Sequence, residues 1–231
     1  MTEIIEHHGI ELRIDNRIMS EKMISVLRAK TYERAEAKQI NRIIQDGEVV
    51  LEIGAGIGFI SALVAKHPMV ERIVSYEANP LLIDVISETL KRNAEAVLPK
   101  WEVRNAVLKN GSVRGEVDFY VHRDFWASSL TPIANPARIE KVPVESFNSL
   151  VRELRPTLII CDIEGGELEL FRNSDLTDVR KVYVETHQKK IGRRGMKELF
   201  EIFHARGFHY DQHHSEGSVV LFSHVDRDGK R

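Results

Sequence analysis

Apolar segments with strand character alternate with amphipathic helical segments along most of the chain. Strands are predicted at residues 48–53, 72–78, 101–108, 115–123, 138–144, 157–163 and 181–187. Helices are predicted at residues 20–45, with a break near residues 30–31, and at 58–67, 80–94, 145–154, 166–173 and 195–207. Residues 208–214 and 218–224 predict a final hairpin around "SEG". This alternation requires crossover connections, and it therefore predicts a parallel sheet covered by helices.

The predicted fold class is α/β. We expect a Rossmann-like, doubly wound, mostly parallel seven-stranded sheet with helices on both faces and a C-terminal antiparallel hairpin. Residues 1–45 predict an N-terminal helical extension or lid, and residues 46–231 predict the main domain. Ligands of such sheets bind beyond the carboxyl ends of the strands, so the candidate chemistry is expected there.

Composition narrows the classes of partner. The 231 residues are 42% hydrophobic, carry a net charge of −2 and include one cysteine. Basic and acidic residues are mixed, which argues against a nucleic-acid or membrane surface. A lone cysteine argues against a disulfide scaffold, and the charged start of the chain is unlike a signal peptide. We therefore expect a cytoplasmic protein with neither nucleic acid nor membrane among its partners; the oligomeric state is left open.

A glycine-rich loop follows the first main strand at "EIGAGIG", residues 52–58. A nicotinamide fingerprint would need a third glycine where Phe59 stands, and no lysine follows as a P-loop requires. Alternate glycines let the main chain approach a ligand closely. The E-x-G-x-G-x-G arrangement resembles the first motif of class I S-adenosylmethionine-dependent methyltransferases. The loop supplies the predicted cofactor-binding residues Glu52, Gly54, Ala55, Gly56 and Gly58.

The next two strands end in further candidates for cofactor binding. Glu77 follows the loop by roughly twenty residues, where a carboxylate accepts hydrogen bonds from ribose hydroxyls, with Ala78 beside it. Asn105 and Ala106 end the third strand, where the adenine edge is expected. A turn-forming role is an alternative for Asn105.

A longer pattern resembles the FkbM-type methyltransferases. It consists of "YERAE" (32–36), "EIGAGIGFIS" (52–61), "YEANP" (76–80), "VPVESFNSLV" (142–151), "ICDIEGGELELF" (160–171) and "VYVETHQ" (182–188). The resemblance implies S-adenosylmethionine as cofactor and methyl transfer to a hydroxyl of a sugar, a lipid-linked glycan or a natural product.

Acidic residues and a histidine converge at two strand ends that should be neighbours. We predict Asp162, Glu164, Glu185 and His187 as the catalytic group. His187 is the candidate base, and Asp162 would orient the acceptor or bind the amino group of the cofactor. A solvated loop histidine is the alternative for His187. The same cluster would also suit a divalent metal, but we expect catalysis without one.

The expected function is O-methylation of a small-molecule or glycan acceptor. The alternatives are an N- or C-methyltransferase acting on another small molecule and a protein that binds S-adenosylmethionine without transfer.

Two segments beside the site have two possible roles each. Phe125 and Trp126 in the long loop of residues 122–138 would shape a pocket or pack that loop, and the basic residues 189–195 would bind an acceptor anion or be solvated.

Overall fold

The expected seven-stranded, mostly parallel sheet is confirmed in a computed structural model of the chain, which describes residues 3–16, 18–94, 100–111, 115–133 and 135–229. The strands are β1 Ile4–His7, β2 Ile10–Arg13, β3 Glu48–Ile53, β4 Val70–Glu77, β5 Trp101–Asn105, β6 Val107–Lys109, β7 Glu116–Val121, β8 Arg138–Ser146, β9 Leu158–Cys161, β10 Lys181–Glu185, β11 Phe208–Glu216 and β12 Val219–His224. The main sheet has the strand order β11-β12-β10-β9-β3-β4-β5. The strands from β10 to β5 in that order are parallel, and the predicted hairpin β11–β12 adds the antiparallel edge.

Helices cover both faces of the sheet. They are α1 Glu21–Arg28, α2 Arg34–Ile43, α3 Phe59–Lys66, α4 Ile83–Ala94, α5 Phe147–Leu154, α6 Glu167–Arg172 and α7 Gln188–His204. The predicted break near residues 30–31 separates α1 from α2. Inside α7, Gly192 has non-helical angles (φ 70°, ψ 175°) that kink the helix. Among the described residues, no helix combines the length and apolar character needed to cross a bilayer.

Three predicted strands take different partners from those expected. The segment 101–108 splits into β5, which stays in the main sheet, and β6, which leaves it. β6 pairs with β8, which also pairs with β7, and together they form a separate three-stranded sheet. The side chain of Asn105 donates to the main-chain oxygens of Glu77 and Ala78, so the end of β5 is held to the end of β4 where the chain changes direction.

The N-terminal extension is not wholly helical, which corrects the expectation for residues 1–45. β1 and β2 form an antiparallel hairpin before α1 begins. Ile5, His7, Ile10 and Leu12 are its buried side chains, and this period-two pattern buries one face of a strand pair. The hairpin residues pack with α1, α2, α3 and α4 in one hydrophobic core on one face of the sheet. α5, α6 and α7 form a second core on the other face.

A buried ion cluster joins α2 to the amino-terminal end of the sheet. The side chain of Lys181 is fully buried, and its Nζ donates to the Ile43 carbonyl at 2.6 Å. The same nitrogen lies 3.3 Å from Glu48 Oε2 and 3.6 Å from Asp228 Oδ1. A buried ammonium needs partners of this kind, because an unpaired buried charge is costly. The end of α2 is therefore fixed to β10.

Candidate active site

A cavity of about 600 Å³ opens at the carboxyl ends of β3, β4, β9 and β10. Eight residues predicted for cofactor binding or catalysis line it: Gly54, Gly56, Glu77, Ala78, Ala106, Asp162, Glu164 and Glu185. The other predicted site residues lie behind or beside this lining: Glu52, Ala55, Gly58, Asn105 and His187. The cavity therefore gathers most of the predicted side chains at the edge of the sheet where the fold places ligands.

The glycine loop is shaped by close packing at two of its three glycines. Gly54 has φ 91°, and a Cβ there would lie 1.7 Å from the carbonyl oxygen of Asp162. Gly58 has φ 79°, and a Cβ there would lie 3.0 Å from the Cα of Ile86. Only glycine tolerates such positions, since a side chain would be strained and would clash. The first and last glycines thus let the loop approach neighbouring main chain, and Gly56 faces the cavity.

Glu77 holds the loop and lines the cavity at the same time. Its Oε2 accepts a hydrogen bond from the Gly56 N–H at 2.8 Å, and its Oε1 accepts one from the Asn79 N–H at 2.7 Å. Burial raises the pKa of Glu77 to about 7, although these main-chain donors oppose the shift. The carboxylate is thus placed beside the loop with lone pairs available for a ligand.

Glu52 and Asn105 support the site from outside the cavity. Oε2 of Glu52 accepts hydrogen bonds from the hydroxyls of Ser61 and Ser75, each at 2.5 Å. Burial raises the pKa of Glu52 to about 7. The amide of Asn105 is directed to the main chain of β4, as described above, rather than into the cavity. These hydrogen bonds join strand ends and helix, and neither side chain is among the residues that line the cavity.

His187 lies beside the cavity and is surrounded by carboxylates. Its Nδ1 is 2.6 Å from Glu167 Oε1, and its Nε2 is 3.5 Å from Glu164 Oε2. Burial lowers the pKa of His187, but the hydrogen bonds to Glu164 and Glu167 outweigh it and raise the pKa to about 10. An imidazole that is already protonated at neutral pH cannot accept another proton. These contacts suit a positioning role for His187, and the predicted base role stays a prediction.

The loop after β9 is fixed by the same contacts. Oε1 of Glu167, a fully buried side chain at the start of α6, also accepts from the Gly165 N–H at 2.9 Å. Lys190 donates to the carbonyl and the carboxylate of Glu164 at 2.7 and 2.8 Å. Burial raises the pKa of Glu164, but His187 and Lys190 outweigh it, and the net shift is downward. Glu164 is thus an ionised, engaged carboxylate.

Asp162 lies beside His187, with 3.7 Å between its Oδ1 and His187 Nε2, and its part in proton transfer stays a prediction. It lines the cavity, and its Oδ1 has no hydrogen-bond partner among the described residues. Burial raises the pKa of Asp162 well above its usual value, and the nearby Glu185 raises it further. A carboxylate with a raised pKa is a stronger base when it is ionised.

Ligand atoms of Asp162, Glu185 and His187 lie within 4.8 Å of one another, which we call the acidic–histidine cluster. A group of two carboxylates and an imidazole can hold a divalent ion, provided that the imidazole is neutral. The metal interpretation therefore requires His187 to lose the proton that its carboxylate neighbours stabilise. Expected catalysis without a metal and the metal alternative both stay predictions.

Described residues of the N-terminal region, together with Phe125 and Trp126 of the loop after β7, form a roof over the cavity. A Cβ on Gly56 would lie 3.1 Å from the Tyr32 hydroxyl and 3.5 Å from Phe125. Lys22 lies over the ring of Trp126 at 5.4 Å, a cation–π contact that joins the two parts of the roof. The expectation that the loop aromatics lie beside the site agrees with this placement.

Sequence reasoning missed two groups of lining residues. Glu33 and Glu36 reach the cavity from the start of α2, and burial raises the pKa of both carboxyls. The second group comes from the small sheet, α6 and the residue after β6: Leu108, Lys109, Asn110, Phe119, Leu170 and Arg172. The acids of "YERAE" were a signal for the first group. The second group had none, because β6 was expected in the main sheet.

Sheet order, glycine loop and cavity together define the Rossmann-like fold of class I methyltransferases. Residues 3–107 match the model of the TRM5/TYW2 methyltransferase domain. This match and the fold both support the expected methyltransferase class, whose members use S-adenosylmethionine.

Solved structures share this fold at low sequence identity. Trm5b from Pyrococcus abyssi superposes with a TM-score of 0.53 at 14% identity, over 96% of this chain and 55% of that one. TYW2 from Pyrococcus horikoshii, in complex with MeSAdo, gives a TM-score of 0.52 at 13% identity, over 96% and 69% of the two chains.

One curated relative is a probable ribosomal RNA small subunit methyltransferase A from Methanosphaera stadtmanae. It is 28% identical over 91 residues, which cover 38% of this chain and 29% of the relative. The matched segment thus spans less than a third of the length of that protein.

The comparisons correct two expectations. The family model that matches residues 3–107 is that of TRM5/TYW2, and the FkbM resemblance is not supported. The predicted absence of a nucleic-acid partner is wrong, because TRM5/TYW2 proteins act on tRNA. Mixed surface charge misled the prediction, since net charge does not report local basic surfaces. O-methylation of a small molecule gains no support from these matches.

Proposed function

We propose that this protein transfers a methyl group from S-adenosylmethionine to RNA and that its substrate is a tRNA. The match of residues 3–107 to the TRM5/TYW2 methyltransferase domain carries this proposal. That match includes the glycine loop, Glu77 and Ala106, which meet at one cavity. The RNA class of the curated relative is consistent with a nucleic-acid acceptor.

The cofactor would lie along the glycine loop. Gly54 and Gly56 would contact the methionine part, Glu77 would bond the ribose hydroxyls, and Ala78 and Ala106 would flank the adenine. The sulfonium carries a positive charge, and the cavity is lined by an excess of carboxylates, including Asp162 and Glu185. Coulombic attraction therefore favours the charged donor over the neutral product S-adenosylhomocysteine.

The transfer itself breaks one bond and forms one. A nucleophilic nitrogen, oxygen or carbon of the acceptor attacks the methyl carbon, and the sulfur leaves with the electron pair of the S–CH₃ bond. Where the acceptor atom bears a proton, Asp162 would accept it, since Asp162 lines the cavity and burial raises its pKa. Alignment of donor and acceptor can contribute about 7–11 kcal/mol in favourable cases.

Residues 1–45 would act as part of the lid, through the residues that the structure describes. Tyr32, Glu33 and Glu36 line the cavity from this region, and Lys22 contacts Trp126 across the roof. A roof of this kind excludes water from the donor, which strengthens electrostatic interactions inside. The boundary at residues 45 and 46 would then separate lid from catalytic domain without separating their cores.

Radiolabelled methyl transfer tests the proposal. The protein would be incubated with methyl-tritiated S-adenosylmethionine and, separately, unmodified tRNA transcripts, small-subunit ribosomal RNA and glycan-like hydroxyl compounds. We expect label in tRNA, and at least tenfold less with Asp162→Asn. Asp118→Asn is the matched control, since Asp118 lies on β7 in a surface pair with Lys141. Label only in ribosomal RNA would show that the proposed tRNA substrate is wrong and that ribosomal RNA is the substrate. Label only in a small hydroxyl compound would overturn the proposal.

A further inference from the structure

The first half of α7 carries a dense positive charge. Residues 188–197 contain Lys189, Lys190, Arg193, Arg194 and Lys197 and no acidic residue. Lys190 is paired with Glu164, and Lys197 is paired with Glu201. Lys189, Arg193 and Arg194 are exposed and form no ion pair or side-chain hydrogen bond with the part of the chain that the structure describes. We call these three the α7 cations.

The position of the α7 cations is fixed relative to the cavity. Lys190, between them in sequence, is bonded to Glu164, which lines the cavity. Gly195 is buried, and a Cβ there would lie 3.2 Å from Leu168 of α6, so the two helices pack closely at this point. Glu169 and Arg172 of the same α6 also line the cavity. The helix that carries the α7 cations is thus held against two segments that line the cavity, the loop at Glu164 and α6.

The charges of cavity and helix suit different parts of one substrate. Carboxylates inside the cavity attract a sulfonium and accept hydrogen bonds from a nucleobase, but they repel phosphate. An RNA whose base enters this cavity must place its phosphates outside it. Cations without protein partners bind phosphate without first breaking an ion pair, and arginine matches phosphate with paired donors.

We propose that the α7 cations bind the phosphate backbone of the RNA next to the nucleotide that enters the cavity. This inference rests on the proposed function, because it takes RNA as the acceptor. An acidic protein partner would also be attracted to this surface. RNA is favoured because the surface adjoins the cavity and because the matched family acts on tRNA.

The expected effect follows from counterion release. Each phosphate contact adds about 0.7 to 0.9 to the slope of log affinity against log salt concentration. Arg193→Gln together with Arg194→Gln should therefore lower that slope by roughly 1.4 to 1.8. At 0.1 M salt, the same contacts correspond to roughly 25- to 60-fold weaker binding, relative to a 1 M reference.

The experiment measures tRNA binding by fluorescence anisotropy from 50 to 300 mM KCl, together with methyl transfer. The control pair is Lys38→Gln with Lys91→Gln, which removes an equal charge. Both lysines are exposed and lie on α2 and α4, helices that pack on the opposite face of the sheet from α7. Calorimetry with S-adenosylhomocysteine checks that both pairs keep the cofactor site. We expect weaker binding and a smaller slope for the arginine pair alone.

The outcomes separate this inference from the proposed function. If the wild-type protein methylates tRNA and the variant with both arginines replaced binds tRNA with an unchanged salt slope, the α7 inference is wrong and the proposed function stands. If the arginine pair loses binding but no RNA is methylated by the wild-type protein, the proposed function fails and the RNA surface remains. If the wild-type protein neither binds nor methylates RNA, both are refuted. Capture of acidic peptides instead of RNA would also overturn the inference.

Discussion

Replacing Glu77 by glutamine tests the proposed cofactor site most directly. The substitution keeps the shape of the side chain but removes its charge and one of its acceptor oxygens. In the structure those two oxygens accept from the N–H groups of Gly56 and Asn79 at 2.8 and 2.7 Å. A glutamine can satisfy one of the two donors, and its own NH₂ group would face the other.

The magnitude follows from the hydrogen bonds that change. A hydrogen bond to a charged group contributes about 1.5–3 kcal/mol, and the ribose hydroxyls would lose a charged acceptor. The corresponding loss of affinity for S-adenosylhomocysteine is roughly 10- to 150-fold. The unsatisfied main-chain donor should also lower the free energy of unfolding by about 1–3 kcal/mol.

Isothermal titration with S-adenosylhomocysteine measures the first effect, and thermal unfolding measures the second. Glu102→Gln is the matched control, because Glu102 lies on the adjacent strand β5 and pairs with Arg72 and Arg104 outside the cavity. We expect the control to bind like the wild-type protein. An equal dissociation constant for Glu77→Gln and wild type would refute the assignment of the ribose to Glu77.

Three further predictions follow from the same site. Gly54→Ala should destabilise the fold by far more than Gly47→Ala. Both glycines have positive φ, so each substitution should cost about 1–2 kcal/mol in strain, but only a Cβ at Gly54 would meet a carbonyl oxygen, at 1.7 Å. Equal melting temperatures of the two variants would contradict this. The stabilisation from His187 should be complete below pH 6.5 and be lost as the pH rises through about 10, because the pKa of His187 is raised in the folded state. His187→Gln should abolish that part of the pH dependence of the unfolding free energy. An unchanged pH profile in this variant would exclude the stabilisation by His187. Treatment with EDTA should leave the affinity for S-adenosylhomocysteine unchanged, because a protonated imidazole does not bind a metal. If EDTA lowered the affinity and Mg²⁺ or Mn²⁺ restored it, a metal in the acidic–histidine cluster would be established.

Local patterns predicted the parts of the site that follow from chain order. Strand ends in a parallel sheet meet at one edge, so Gly54, Glu77 and Asp162 could be assigned to one cavity from sequence alone. Asn105 occupies the predicted strand end, but its amide bonds the main chain. The direction of that side chain depends on how closely β4 and β5 end together, which periodicity does not report.

Long-range packing accounts for what sequence did not predict. Glu33 and Glu36 reach the cavity because α2 folds back over the strand ends. The sequence marks these acids within "YERAE", but it does not report the path that brings them to the cavity. The charge of His187 depends on Glu164 and Glu167, which approach it only in the folded chain. The acceptor was mispredicted for a different reason: a glycine loop reports the methyl donor, and the donor is common to many substrates.

The buried Lys181 determines how the cavity can open. Its ammonium holds the carbonyl of Ile43, so the last turn of α2 cannot swing without stripping a buried charge of its partners. We therefore expect any hinge for cofactor exchange at the connection between α1 and α2, where Lys30 and Glu33 have positive φ. Exchange of the donor should loosen amide protons of α1 while those at the end of α2 keep their protection.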